Sequence, residues 1–270
     1  MTPRKKLTPS ARKKVNPEER ESIERGDDSL SITGHLTELR SRLLTVLVAV
    51  MVTTILPFFL FGKKMVMLMT MPYDKAVTNH PLNVFSPMEG FMLQLKSSLI
   101  AGILVVFPLI VFEIWSFVKP AVDKDKRHFI RNTLIFAILF FYAGAILTFF
   151  WFAPYTIRSL LDFTPDNMTI LLNASTYLSF MFFFCFSMGL VFELPLAIMI
   201  LTKIGIVTPS FLSKKRKYAI VLIWVVAAVI TPTTDILTQS LVAIPLMVLY
   251  EVSIILSKII VMRNKRKNEH

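Results

Sequence analysis

The sequence predicts an all-α, polytopic membrane protein, and three observations carry that prediction. Apolar residues make up 54% of the chain and mean hydropathy is +0.61, more apolar surface than a water-soluble domain of 270 residues can hide. The apolar residues gather in six stretches of membrane-spanning character. The segments joining those stretches alternate sharply in basic charge.

The first stretch is residues 43–62, twenty residues without a charge. The second, about 91–112, is interrupted by Lys96, and the third, 132–157, is bounded by Arg131 and Arg158. The fourth, 177–202, runs 26 residues with Glu193 as its only charge. The fifth, about 219–231, is short and ends at Thr231-Pro232, and the sixth, about 236–260, holds Glu251 and Lys258. A span needs about 20 apolar residues, so the last two could also form a re-entrant hairpin. Segments on one side of this pattern carry 25 Lys and Arg, and those on the other carry 5. The positive-inside rule then places both termini in the cytoplasm. Residues 1–30 interleave basic and acidic residues with few large apolar ones and read as a disordered basic tail; 263–270 form a second. The membrane domain is therefore expected over residues 31–262.

Several functions are excluded at this level. The single cysteine, Cys185, allows no disulfide within the chain, and the four histidines lack metal-ligand spacing. No nucleophile–base pair, phosphate-binding glycine loop or metal cluster stands out, so an enzyme is not expected. The net charge of +12 follows membrane topology and gives no reason to expect nucleic acid.

Glu193 is the most informative residue. It lies ten residues before Lys203, roughly 15 Å along a helix and so near the bilayer midplane. A charge there costs about 2.5 kcal/mol or more, which makes an intramembrane acid a functional candidate. Pro195 cannot donate a backbone N–H, so the helix is weakened beside the carboxyl. A carboxyl held only by a neighbouring helix for packing is the plainer alternative.

At the entrance of the first stretch stands His35-Leu36-Thr37-Glu38-Leu39-Arg40-Ser41-Arg42-Leu43. Glu38 and Arg42 are four apart, share a helix face and can pair. Before the second stretch, Ser86-Pro87-Met88-Glu89 reads as a capping box. Pro108 should kink that helix, and Trp115 fits an interfacial anchor. Gly205 should end the fourth helix, with Thr208-Pro209 starting the next element. Asp235 can cap the sixth helix, and Gln239, one turn inside it, needs a hydrogen-bond partner.

In this order and spacing the motifs resemble the TatC family, the polytopic subunit of the twin-arginine protein translocase. The matching residues are His35 to Leu43, Ser86-Pro87-Met88-Glu89-Gly90-Phe91, Pro108, Trp115 to Ala121, Tyr177 to Phe180, Phe192-Glu193-Leu194-Pro195, Gly205 to Pro209, Lys215 to Tyr218, and Thr231-Pro232 with Asp235, Gln239 and Pro245. The resemblance implies six helices in a concave, glove-like arrangement in the cytoplasmic (inner) membrane. It implies no cofactor, with transport driven by the proton-motive force. It also implies binding of twin-arginine signal peptides on folded cargo and homo-oligomeric assembly with single-span TatA and TatB partners. By that resemblance Glu38 and Arg40 belong to the signal-peptide site, and Glu193, Gln239 and Asp235 are the membrane-embedded polar positions for partner docking. The family's second signal-peptide acid falls at Lys126 here, with Asp123 and Asp125 close enough to replace it. Physically, an arginine pair asks for at least two carboxylates. The rival reading is a proton-coupled secondary transporter using Glu193.

Overall fold

The structure is a computed structural model and describes residues 17–77, 81–119, 124–165, 171–231 and 235–268. Within these residues every element is helical, and the one β-bridge pairs Asn83 with Asn173. The chain divides into two compact units, Met1–Leu47 and Val48–His270.

Helix α1 covers Pro17–Ala76. The predicted tail over residues 1–30 is thereby corrected: the helix reaches back to Pro17. A proline at the first helical position followed by Glu18 and Glu19 is a strong start signal, because the ring presets φ and acidic residues favour a helix N-terminus. Residues 1–16 lie outside the described ones. In the first unit, Arg42 donates to Glu38 Oε1 from Nη2 at 2.6 Å and from Nε at 3.2 Å, the pairing expected from their spacing.

The second unit holds the remaining elements. Helix α2 is Pro87–Val118 and α3 is Lys124–Leu147. A π-helical turn, Thr148–Phe152, joins α3 to α4, Ala153–Asp162, where Pro154 removes a backbone donor from the ladder. Then follow α5, Ala174–Phe192; α6, Leu194–Ile204; α7, Pro209–Lys214; α8, Arg216–Ile230; and α9, Ile236–Asn268. Five stretches are long and apolar enough to cross a membrane: Thr37–Ala76, Pro87–Phe117, Lys126–Asp162, Ala174–Ile204 and Ile236–Arg263. The sixth, α8, has 15 residues and is about 22 Å long, short of a ~30 Å hydrocarbon core.

Helix α5 is the centre of this unit. It packs along α3 and also meets α2, α8 and α9. Its Leu178, Phe184 and Met188 are fully buried in one cluster with Tyr73, Val242 and Leu246. Helix α9 packs on α6 and α8, and Thr202 and Ser257 hydrogen-bond at 2.8 Å between α6 and α9. Outward, large apolar side chains such as Phe59, Trp151 and Val229 stay exposed, as lipid contact requires.

Polar groups fasten the ends. Ser86 caps α2 by accepting from the Glu89 N–H, and Pro87 follows as predicted. The Glu89 carboxylate takes the Phe85 N–H at 2.7 Å and also the Asn173 side-chain amide. Asn173 in turn caps α5 through the Thr176 N–H at 2.8 Å. Gly205 adopts φ +101° and ends α6, and Thr208 caps α7. The left-handed φ explains the glycine, since a Cβ there would be strained.

Pro108 lies inside α2, which continues on both sides of it. One expectation changes. Trp115 is no interfacial anchor; it is buried against Ile130 and Leu134 of α3, where an indole contributes more by packing than at a rim.

Candidate functional site

The fourth span is broken where the sequence places its acid. Helix α5 ends at Phe192, Glu193 forms the joint, and α6 begins at Leu194 with Pro195 in its first turn. Pro195 has no N–H to return to the preceding turn, so the ladder is interrupted beside the carboxyl. Glu193 is eleven residues from the end of α6. With a ~30 Å core centred on this span, the carboxyl lies roughly 6 Å from the midplane, toward the side bearing Lys203.

The carboxyl faces α3 near the Phe141 backbone. Its Oε1 is buried, and no described group donates to it. Such an atom is costly in an apolar setting unless a donor reaches it. Helices α3 and α5 approach closely beside it. A Cβ at Gly144 would sit 2.6 Å from the Phe192 ring, and one at Gly189 2.6 Å from the Phe141 ring. Real atoms do not tolerate 2.6 Å, so both positions require glycine at this separation.

The other predicted site residues are placed as follows. Glu38 is half-buried and Arg40 exposed, in the first unit. Asp123 lies outside the described residues. Asp125 falls in the first turn of α3, and its side chain is outside the described ones. Lys126, at the position of the resemblance's second acid, donates to the Ile204 carbonyl at 3.4 Å at the end of α6. A cation there suits the negative end of a helix. Asp235 caps α9 by accepting from the N–H groups of Leu237 at 2.7 Å and Thr238 at 3.2 Å. Gln239 finds its partner inside the chain, donating from Nε2 to the Trp224 carbonyl of α8 at 2.9 Å. Of the three membrane-embedded positions, Glu193 alone presents a buried polar atom that no described group satisfies; the other two serve the α8–α9 turn.

Sequence reasoning missed a second polar constellation. Lys96 of α2 donates to the hydroxyls of Ser175 at 2.6 Å and Ser179 at 3.2 Å on α5. The signal was visible as a lysine interrupting an apolar stretch, but its partners stand about eighty residues away.

Fold and site together define a polytopic helical membrane protein whose conspicuous polar groups are single residues on spans and at their entrances. Among the described residues no His, Cys, Asp and Glu cluster could hold a metal.

Comparison with known proteins narrows the class. Residues 34–245 match the family model described as Sec-independent protein translocase protein (TatC). The chain is 34% identical over 234 residues to the TatC of Carboxydothermus hydrogenoformans, covering 87% of this chain and 95% of that one. It is 34% identical to TatCy of Bacillus subtilis, covering 86% and 90%. A solved structure described as the twin arginine translocase receptor TatC superposes with a TM-score of 0.72 at 34% identity, covering 84% of this chain and 99% of that one. The chain belongs to the TatC family and is a non-enzymatic subunit of a protein translocase in the membrane.

Proposed function

We propose that this chain is the receptor and assembly core of a twin-arginine translocase. It binds twin-arginine signal peptides of folded cargo at its cytoplasmic face and assembles with TatA- and TatB-type single-span partners. The observation that carries this reading is the likeness over nearly the whole length of a solved chain described as a twin arginine translocase receptor. Both termini face the cytoplasm and the chain resides in the inner membrane, a reading supported by the 25-to-5 division of basic residues. Transport draws on the proton-motive force without a cofactor.

At residue level, Glu38 receives an arginine fork of the peptide. Its ion pair with Arg42 fixes its orientation, so an incoming guanidinium meets a positioned acceptor. By the resemblance, Asp123 or Asp125 is the second signal-peptide acid. A twin-lysine peptide presents point charges that cannot reproduce two planar forks. The membrane-extracted protein should therefore bind the twin-arginine peptide and lose most of that binding with twin-lysine. Glu38→Ala should weaken binding by about tenfold or more, since a hydrogen bond to a charged group is worth about 1.5–3 kcal/mol. Equal affinity for the two peptides would overturn the receptor reading.

The orientation has its own test. Cysteines introduced at the exposed positions Lys215 and Asp162 should be labelled by an impermeant thiol reagent from opposite sides, Lys215→Cys from the cytoplasm. Labelling of Asp162→Cys from the cytoplasm would reverse the assignment.

A further inference from the structure

Lys96 poses a problem that the translocase reading leaves open. With a ~30 Å core centred on α2, this residue sits roughly 5 Å inside the hydrocarbon boundary, on the side where α2 begins. An ammonium at that depth wants an anion or a route to the interface. Among the described residues it has neither a carboxylate nor any acceptor beyond two neutral hydroxyls, Ser175 and Ser179. The nearest acid along its own face, Glu89, stands two turns earlier and is engaged by the Phe85 N–H and the Asn173 amide. Glu89 meets the N-terminus of α5 through Asn173 and the Ser175 backbone, so its charge is spent on that helix end.

Below the ammonium the same two helices frame an apolar cavity of about 130 Å³. Ile100 and Leu104 are one and two turns beyond Lys96 on α2, and Phe182 and Phe186 follow Ser179 on α5; Tyr142 and Ile146 of α3 add to the wall. The Tyr142 hydroxyl is turned away onto the Leu104 carbonyl at 2.7 Å, so the lining is almost wholly apolar. Ile146 remains exposed at its rim, and Phe183 and Leu99 flank it as exposed apolar surface. A cation with hydroxyl neighbours near the interface, continuing inward into an apolar groove, has the polarity profile of a phospholipid.

We propose that Lys96, Ser175 and Ser179 bind the phosphate of an anionic phospholipid, with one acyl chain in the α2–α3–α5 groove. The Ser175 hydroxyl and, on leaving the Ser175 carbonyl that it meets at 3.0 Å, the Ser179 hydroxyl donate to phosphate oxygens, while Lys96 supplies the charge. A partner helix bearing a carboxylate is less well matched, since its backbone would need room that a single acyl chain does not. The leaflet is the outer one in the orientation proposed above, but lipid binding itself does not rest on the receptor reading.

The test uses the purified full-length chain without peptide or partners. Native mass spectrometry is run with equal amounts of phosphatidylglycerol and phosphatidylcholine. The unmodified protein should retain phosphatidylglycerol in preference. Lys96→Gln should reduce that preference by about tenfold, and Lys96→Arg should keep it. Ile100→Trp, which fills the groove and leaves the charge, should lower retention of both lipids, and inorganic phosphate should displace neither. No preference in the unmodified protein overturns the proposal even if Lys96→Gln does not fold. So does equal retention by Lys96→Gln, or a carbodiimide crosslink from Lys96 to a protein carboxylate in intact membranes. Twin-arginine peptide binding is measured on the same samples, so that loss of one activity is told apart from loss of the other.

Discussion

Glu193→Leu should abolish export of folded cargo, whereas Glu193→Gln should retain much of it. The reason lies in the buried Oε1 at the joint between α5 and α6, which no described group satisfies. A group of that kind is completed by a polar residue on an incoming helix. Glutamine keeps the shape and one oxygen acceptor and adds an amide donor, so it can still dock such a helix. Leucine removes both functions while filling the same space. Proton coupling would give another pattern, because glutamine cannot ionise and would fail as completely as leucine. Export and signal-peptide crosslinking should be measured in the same membranes at matched protein levels. Crosslinking should survive both substitutions, since Glu38 and Asp125, proposed for the peptide, lie at the start of a span and in the first turn of α3, away from the joint at Glu193. Its loss in Glu193→Gln would merge the two sites and defeat their separation.

The second large effect is expected at the α3–α5 contact. Gly189→Leu should lower the yield and the thermal midpoint of the detergent-solubilised protein by several degrees. Already the first added carbon would stand 2.6 Å from Phe141, which is fully buried and has nowhere to go. Overpacking of this kind costs about 1–3 kcal/mol and more when the obstructing ring is fixed. Gly90→Ala is the matched control: a Cβ there meets nothing within 4 Å, and removing a helical glycine should be neutral or mildly stabilising. A Gly189→Leu protein as stable as the unmodified one would show that α3 and α5 can separate without loss. The joint at Glu193 would then not depend on their close packing.

Much of this was legible because membranes constrain local sequence strongly. Each helix must satisfy its own backbone, so length and polarity alone mark the spans, and the caps at Ser86, Thr208 and Asp235 use side chains within three residues of their targets. The break at Glu193 was legible for the same reason: Pro195 acts on its own helix turn. The start of α1 at Pro17 was missed because composition outweighed the local start signal in the reading of the tail. Trp115 was misplaced because hydropathy reports that an indole is near a helix end and not which neighbour covers it.

By itself, then, the sequence determined the order of the apolar stretches, the charge asymmetry behind the proposed orientation, the helix caps and the acid at a weakened turn. These depend on contacts a few residues apart, or on transfer from water to lipid, which each segment undergoes alone. The tertiary structure decided which polar groups find partners. Gln239 is consumed by Trp224, Asn173 joins Glu89, and Lys96 meets two serines of α5, while one oxygen of Glu193 is left without a donor among the described residues. Helix packing alone brings such groups within 3 Å, because inside a membrane the hydrophobic pattern is nearly uniform around each helix and does not specify which face meets which neighbour.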